Sequence, residues 1–232
     1  MEAHLRLTNY LWAIGERNGA AEHRRRAAAL EPNNPLVIGF AVGAAAQDGR
    51  FDEAIKLQRR VVTADPLSVI NRSNLGRLLF LAGRFDEVKA EWIKVLELDP
   101  TRPADIVAFV LILNRQFDEA LGLVQGWPDS EDRTQCLALV YHSLGRKADA
   151  DAALETLTKS SGTNDPFRLA EVYAYRGEID EAFNWLQTVT EWYRDKTYLR
   201  AGPRQPWVMR LSPFLKPLHT DARWDAWVAS TQ

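Results

Sequence analysis

Apolar residues recur along this chain at spacings of three and four, the signature of a helix buried along one face. Between residues 85 and 95 the series is Phe85, Val88, Trp92 and Val95, with Asp86, Glu87, Lys89, Glu91 and Lys94 filling the polar side. Short amphipathic helices are therefore the predicted elements, each needing a neighbour to cover its apolar stripe.

The pattern is written more than once. GRFDEAIKLQRRVVTADP (49–66) and GRFDEVKAEWIKVLELDP (83–100) begin 34 residues apart, and FDEA returns at 117–120. Pro32, Pro66 and Pro100 keep the same spacing. A period of this length, with a glycine, an aromatic, a small residue and a closing proline, predicts helix–turn–helix repeats stacked as a solenoid. Counting from residue 1, the turn falls at position 15, occupied by Gly15, Gly49, Gly83, Gly145 and Gly177. Position 20, where the two helices of a repeat cross, is small: Ala20, Ala54, Val88, Ala120, Ala150 and Ala182. Its counterpart on the first helix is position 8: Thr8, Val42, Gly76, Ala108, Ala138 and Ala170. The fourth repeat departs from the rule, with Asn114-Arg115-Gln116 at the turn and an early close at Gly126-Trp127-Pro128.

These positions together resemble the tetratricopeptide repeat (TPR). The resemblance implies an all-α fold, a right-handed α-α superhelix of about six helix pairs over 1–34, 35–68, 69–102, 103–130, 131–162 and 163–194. Residues 195–232 then form a C-terminal capping segment. Its stretch PFLKPLHTDARWDAWV resembles the segment that closes TPR arrays in many bacterial multidomain signalling proteins. Phe214, Leu215, Leu218, Trp224 and Trp227 are expected to cover the apolar side of 179–193. Met1 already stands at repeat position 1, and LRLTNYLW would present apolar groups on an end face; a fragment, or a start at a domain junction, is expected.

Composition narrows function mainly by exclusion. Of 232 residues 46% are hydrophobic and 26% charged, with a formal charge of −2. Residues 1–100 carry 14 Lys/Arg against 13 Asp/Glu, and the remainder 15 against 18. With no basic half, a nucleic-acid partner is disfavoured, and no apolar run is long enough for a membrane segment. One cysteine, Cys136, excludes an internal disulfide and a cysteine-rich metal site, and fits a cytoplasmic setting. His4, His23, His142 and His219 share no metal-ligand spacing. No phosphate-binding glycine loop, HExxH or nucleophile elbow occurs, and Asp52-Glu53 and Asp86-Glu87 suit the electropositive first turns of helices. The expectation is a chain without enzymatic activity, cofactor or metal. Arg24, Arg25, Arg26, Arg59 and Arg60 read as a solvated outer strip, the alternative being contact with phosphate or an acidic partner.

The resemblance further implies that a peptide or protein partner is held in a concave groove lined by the first helices. Carried over position by position, the groove residues are Phe40, Gly43, Asn74, Arg77, Phe80, Phe109, Leu139, His142 and Arg168. Asn9, Trp12 and Tyr175 occupy further groove positions, and Gly39 and Gly43 leave space beside Phe40. The polar set with which some TPR proteins clamp a C-terminal carboxylate is not reproduced, since Leu5 and Gly43 stand at two of its positions. The expected function is a non-catalytic protein-interaction module, the regulatory part of a larger bacterial protein. A homo-oligomer or structural region with a self-filled groove, and an adaptor using the arginine strip, are the alternatives.

Overall fold

The computed structural model describes residues 2–13, 16–194 and 209–230; Gly15, Trp207 and the side chains of Asn9 and Trp12 lie outside that description. Among the described residues every regular element is helical. Helices pair in sequence: α1 (Glu2–Ala13) with α2 (Arg17–Leu30), α3 (Pro35–Gln47) with α4 (Phe51–Ala64), and α5 (Val69–Leu81) with α6 (Phe85–Leu98). Then come α7 (Asp105–Leu113) with α8 (Phe117–Gln125), α9 (Glu131–Ser143) with α10 (Lys147–Ser161), and α11 (Phe167–Tyr175) with α12 (Ile179–Arg194). A 3-10 helix, Pro213–Leu218, and α13 (Arg223–Ser230) follow. The chain divides into two compact units, 1–101 and 102–232.

Local chemistry sets the ends of these helices. Asn34, Ser68 and Ser130 cap α3, α5 and α9, each side-chain oxygen accepting from a backbone N–H of the first turn. Second helices α4 and α6 lack a side-chain cap and carry Asp52-Glu53 and Asp86-Glu87 in the first turn instead, where the helix dipole favours anions. Between first and second helix the chain must turn left-handed. Gly49 does so at φ 75°, with Arg50 N–H donating to Ala45 O at 2.8 Å and Gly49 N–H to Ala46 O at 3.0 Å. That pair of hydrogen bonds satisfies carbonyls a helix end would otherwise leave open. In the fourth pair Arg115 adopts φ 62° and makes the same two bonds, to Ile112 O and, through Gln116, to Leu111 O. The turn is thus preserved there without its glycine.

In the first unit α5 and α6 meet where Trp92 is 2% exposed. A Cβ built on Gly76 would lie 2.9 Å from the Trp92 ring, so a tryptophan at position 24 requires bare backbone at position 8. Arg72 fastens the same two helices, donating to Glu91 at 2.5 Å and to Pro66 O at 2.7 Å. Leu5, Ala27 and Val37 form a separate cluster joining α1, α2 and α3, with Phe40 packed against it.

In the second unit α9 is enclosed by its neighbours, and Ala138, Leu139 and Val140 are fully buried. The far side of this unit is a cluster of Phe167, Ala182, Leu186 and Val189 with Met209, Leu215, Leu218, Trp224 and Trp227. Trp227 donates its indole N–H to Leu186 O at 3.2 Å, satisfying the polar end of an otherwise apolar side chain. Arg223 ties α13 to α12 by an ion pair with Asp180 and lies over the Phe183 ring.

Candidate functional site

Two first-helix faces can be built from the residues upward, one in each unit. In the first unit a hollow of about 390 Å³ opens between α3 and α5. Pro35, Leu36, Gly39 and Phe40 form one wall, Asn71 and Asn74 the other, with Gln58 and Val61 of α4 between them. The hollow exists because Gly39 presents no side chain and nothing lies within 4 Å of where its Cβ would be. Gln58 is 4% exposed and donates its amide to Asn71 O at 2.9 Å, which fixes α4 against α5. Leu36 and Ile70, both at repeat position 2, are each 65% exposed. Arg77 lies one turn beyond Asn74 on α5, is exposed, and has no ion-pair partner among the described residues.

The sequence places Phe40, Gly43, Asn74, Arg77 and Phe80 on this face. Phe40 and Asn74 line the hollow, Gly43 is half-buried in α3, and Arg77 is open to solvent. Phe80, expected to be exposed, is buried, its ring 5.9 Å from that of Phe85. Of the other residues lining the hollow, Pro35, Leu36, Gln58, Val61 and Asn71 were not singled out from the sequence. Leu36 carried a signal, being large and apolar at the start of a first helix.

The second unit treats its face differently. Phe109 and Leu139, expected to be exposed, are buried to 8% and 0% exposure. Leu139 is enclosed because α9 runs between α7 and α11. Phe109 is covered by Phe214, whose ring meets it edge-on at 5.1 Å and meets Tyr175 edge-on at 5.6 Å. Phe214 was expected on the α12 side with Leu215 and Leu218; it turns instead onto the first helices. Ser212 extends the contact, donating to Glu171 at 2.7 Å. Glu171, 6% exposed, also accepts from Gln135 at 2.8 Å. Arg168 donates to Gln135 at 2.8 Å and pairs with Asp132 at 2.7 Å and Asp165 at 3.0 Å. It is therefore held inside a polar network rather than offered to a partner.

Beside this contact a second hollow, about 470 Å³, is lined by Ile112, Leu113, Arg115, Phe117, His142, Ser143 and Tyr175. Ser143 and Tyr175 share a hydrogen bond of 2.8 Å, and His142 stands edge-on to the Tyr175 ring at 6.1 Å. Burial, helped by the nearby Arg176 charge, holds the His142 imidazole below its ordinary pKa, so it is neutral near pH 7. Cys136 is fully buried, and burial raises its thiol well above the ordinary range, which leaves it unreactive.

The arginine strip is largely neutralised within the chain. Arg25 and Arg26 both pair with Glu22, Arg59 pairs with Glu87, and Arg60 donates to Asn33 at 2.9 Å. Hydrogen bonds from Arg26 and Arg25 hold the Glu22 carboxyl below its usual range. Among the described residues no group of three or more His, Cys, Asp or Glu is arranged to hold a metal ion, and no helix is long and apolar enough to cross a membrane.

No family model matches the chain. A curated relative, small glutamine-rich tetratricopeptide repeat-containing protein 2 of Mycosarcoma maydis, is 33% identical over 82 residues. That stretch is 35% of this chain and spans only 23% of the relative's length. Among solved structures, PilW, a type IV pilus biogenesis factor, aligns with a TM-score of 0.58 at 18% identity, covering 83% of this chain and 93% of its own. A tetratricopeptide repeat protein from Parabacteroides merdae gives 0.59 at 12% identity, with 99% and 98% coverage. PilF of Pseudomonas aeruginosa gives 0.54 at 20% identity, with 74% and 80% coverage. At these identities the solved structures speak to fold. Joined to the repeat positions and the turn geometry, they show that this chain has the tetratricopeptide-repeat fold.

Proposed function

We propose that the chain is a non-catalytic protein-interaction module whose first unit takes up a peptide or protein segment on its first-helix face. One observation carries this reading: the hollow of about 390 Å³ around Gly39, bordered by Leu36 and Phe40 and faced by Asn71 and Asn74. Apolar side chains held open beside a hollow mark contact surfaces. The amides of Asn71 and Asn74 add donors and acceptors suited to a peptide backbone, and the nearby Arg77 favours a segment that carries a carboxylate. PilW, which is similar in fold, is a type IV pilus biogenesis factor, and that is consistent with this class of function. The regulatory role within a larger bacterial protein belongs to the same proposal.

The test exploits the glycine. Nothing lies within 4 Å of a Cβ at Gly39, so a side chain there starts in open space and Gly39→Leu is directed into the hollow. Leucine in place of glycine inside a helix should also raise stability by about 0.5–1 kcal/mol. A random-peptide display library panned on the parent chain should yield a consensus whose binding falls at least about tenfold, or ~1.4 kcal/mol, in Gly39→Leu. Unchanged binding in that variant, or binding that disappears instead on charge reversal at Arg24 and Arg25, moves the site elsewhere.

A further inference from the structure

The second unit shows what its own first-helix face accepts. Three successive first helices, α7, α9 and α11, present this face, and the segment Ser212–Leu218 lies across it. Phe214, only 1% exposed, slots between Phe109 of α7 and Tyr175 of α11. The Ser212 hydroxyl reaches Glu171, which Gln135 of α9 also holds. These are side chains at the repeat positions that point to the groove, and they meet a serine–proline–phenylalanine stretch at the start of the 3-10 helix that Ser212 caps. Leu215 and Leu218, by contrast, turn to the cluster shared with α12. The segment therefore has two sides, one packed as core and one seated as a peptide would be.

We propose that the first-helix face of the second unit is a peptide-binding surface closed by the chain's own Ser212–Leu218 segment, so that a partner engages it only by displacing this internal ligand. The occupant is identified by its contacts: an aromatic ring for the Phe109–Tyr175 slot and a hydroxyl donor for Glu171, set two residues apart around a proline. An incoming segment of the same chemistry would reproduce them. The hollow lined by His142, Ser143 and Tyr175 adjoins the slot and leaves room for a partner longer than the internal segment. This inference is independent of the first-unit hollow, and either can fail alone.

The probe is a synthetic peptide of residues 209–219, offered to the full chain. The parent should bind it at least tenfold more weakly than the double variant Ser212→Ala/Phe214→Ala, in which the internal ligand has lost both anchors. A peptide with alanine at its phenylalanine should bind neither. Equal binding to parent and variant, or none to a variant that keeps its helical circular dichroism, overturns the proposal. Because the double variant can fail to fold, hydrogen exchange on the parent gives a second reading. Amides of 212–218 should exchange at least tenfold faster than those of α11 and α12, reporting local release. If all three exchange at one common rate, the segment is fixed core and the proposal falls.

Discussion

Arg115 holds left-handed backbone angles at φ 62°, where Gly49, Gly83, Gly145 and Gly177 lie at φ 71–78°. A side chain there costs about 1 kcal/mol or more in steric terms. Arg115→Gly should therefore stabilise the chain by up to ~1 kcal/mol, part of the gain being offset by the greater freedom of glycine in the unfolded chain. A denaturant midpoint that does not rise would mean that Arg115 is held by contacts outweighing its strain. The histidines add a pH dependence. Burial is the first cause lowering His4, His142 and His219 below the usual 6.5 in the folded chain, with His23, Arg176 and Lys216 the leading charges in each case. Each is then neutral when folded but protonates near pH 6.5 when unfolded. Their contribution is complete above pH 6.5 and is lost as pH falls through the lowered folded values. The melting temperature should drop between pH 7.5 and pH 5, and His142→Gln should flatten that slope; a melting temperature unchanged over this range would contradict the assignment.

Helix pairs, turns and crossing positions were legible in the sequence because each rests on local sterics: a glycine for positive φ, a small residue where helices cross, a proline after the last turn. Even the exception at Asn114-Arg115-Gln116 could be located, though not that the turn would survive it. Three of the eight residues lining the first-unit hollow were legible as well: Phe40, Asn74 and Gly39. The burial of Phe109 was not, because its cover comes from a segment far along the chain that has no helical period to reveal which way Phe214 points. Arg168 reads as a groove cation for a similar reason, since Asp132 and Asp165 neutralise it, with Gln135 accepting a further bond, only once the start of α9 meets the loop before α11. The closing elements yield their own prediction. Trp227 is 7% exposed and packs in the cluster with Leu186 and Val189. Trp227→Ala should cost about 3–5 kcal/mol, whereas Arg223→Ala, a change in an exposed ion pair, should cost far less. Similar urea midpoints for the two variants would show that the closing helix is held by charge rather than by burial.

At the scale of the whole molecule, a formal charge of −2 over 232 residues supplies little mutual repulsion between copies. Leu7 and Tyr10 on α1 are 41% and 61% exposed, an apolar patch suited to self-association. If copies associate through it, Leu7→Glu/Tyr10→Glu should leave a monomer in light scattering at concentrations where the parent forms larger species. Identical scattering from both would clear α1 of that role. The fit of Trp92 over Gly76 bears on how such a chain can be rearranged by recombination. The copies at 49–66 and 83–100 look interchangeable in writing, and an exchange at the shared GRFDE would preserve every turn angle. It would also set the tryptophan-bearing helix against Val42, where its native neighbour offers a bare backbone. A crossover inside a pair is thus barred by one ring, while a crossover between pairs, at the prolines, keeps Gly76 and Trp92 together. The unit of inheritance in this chain is the matched pair of helices, and its seams lie at Pro32, Pro66 and Pro100.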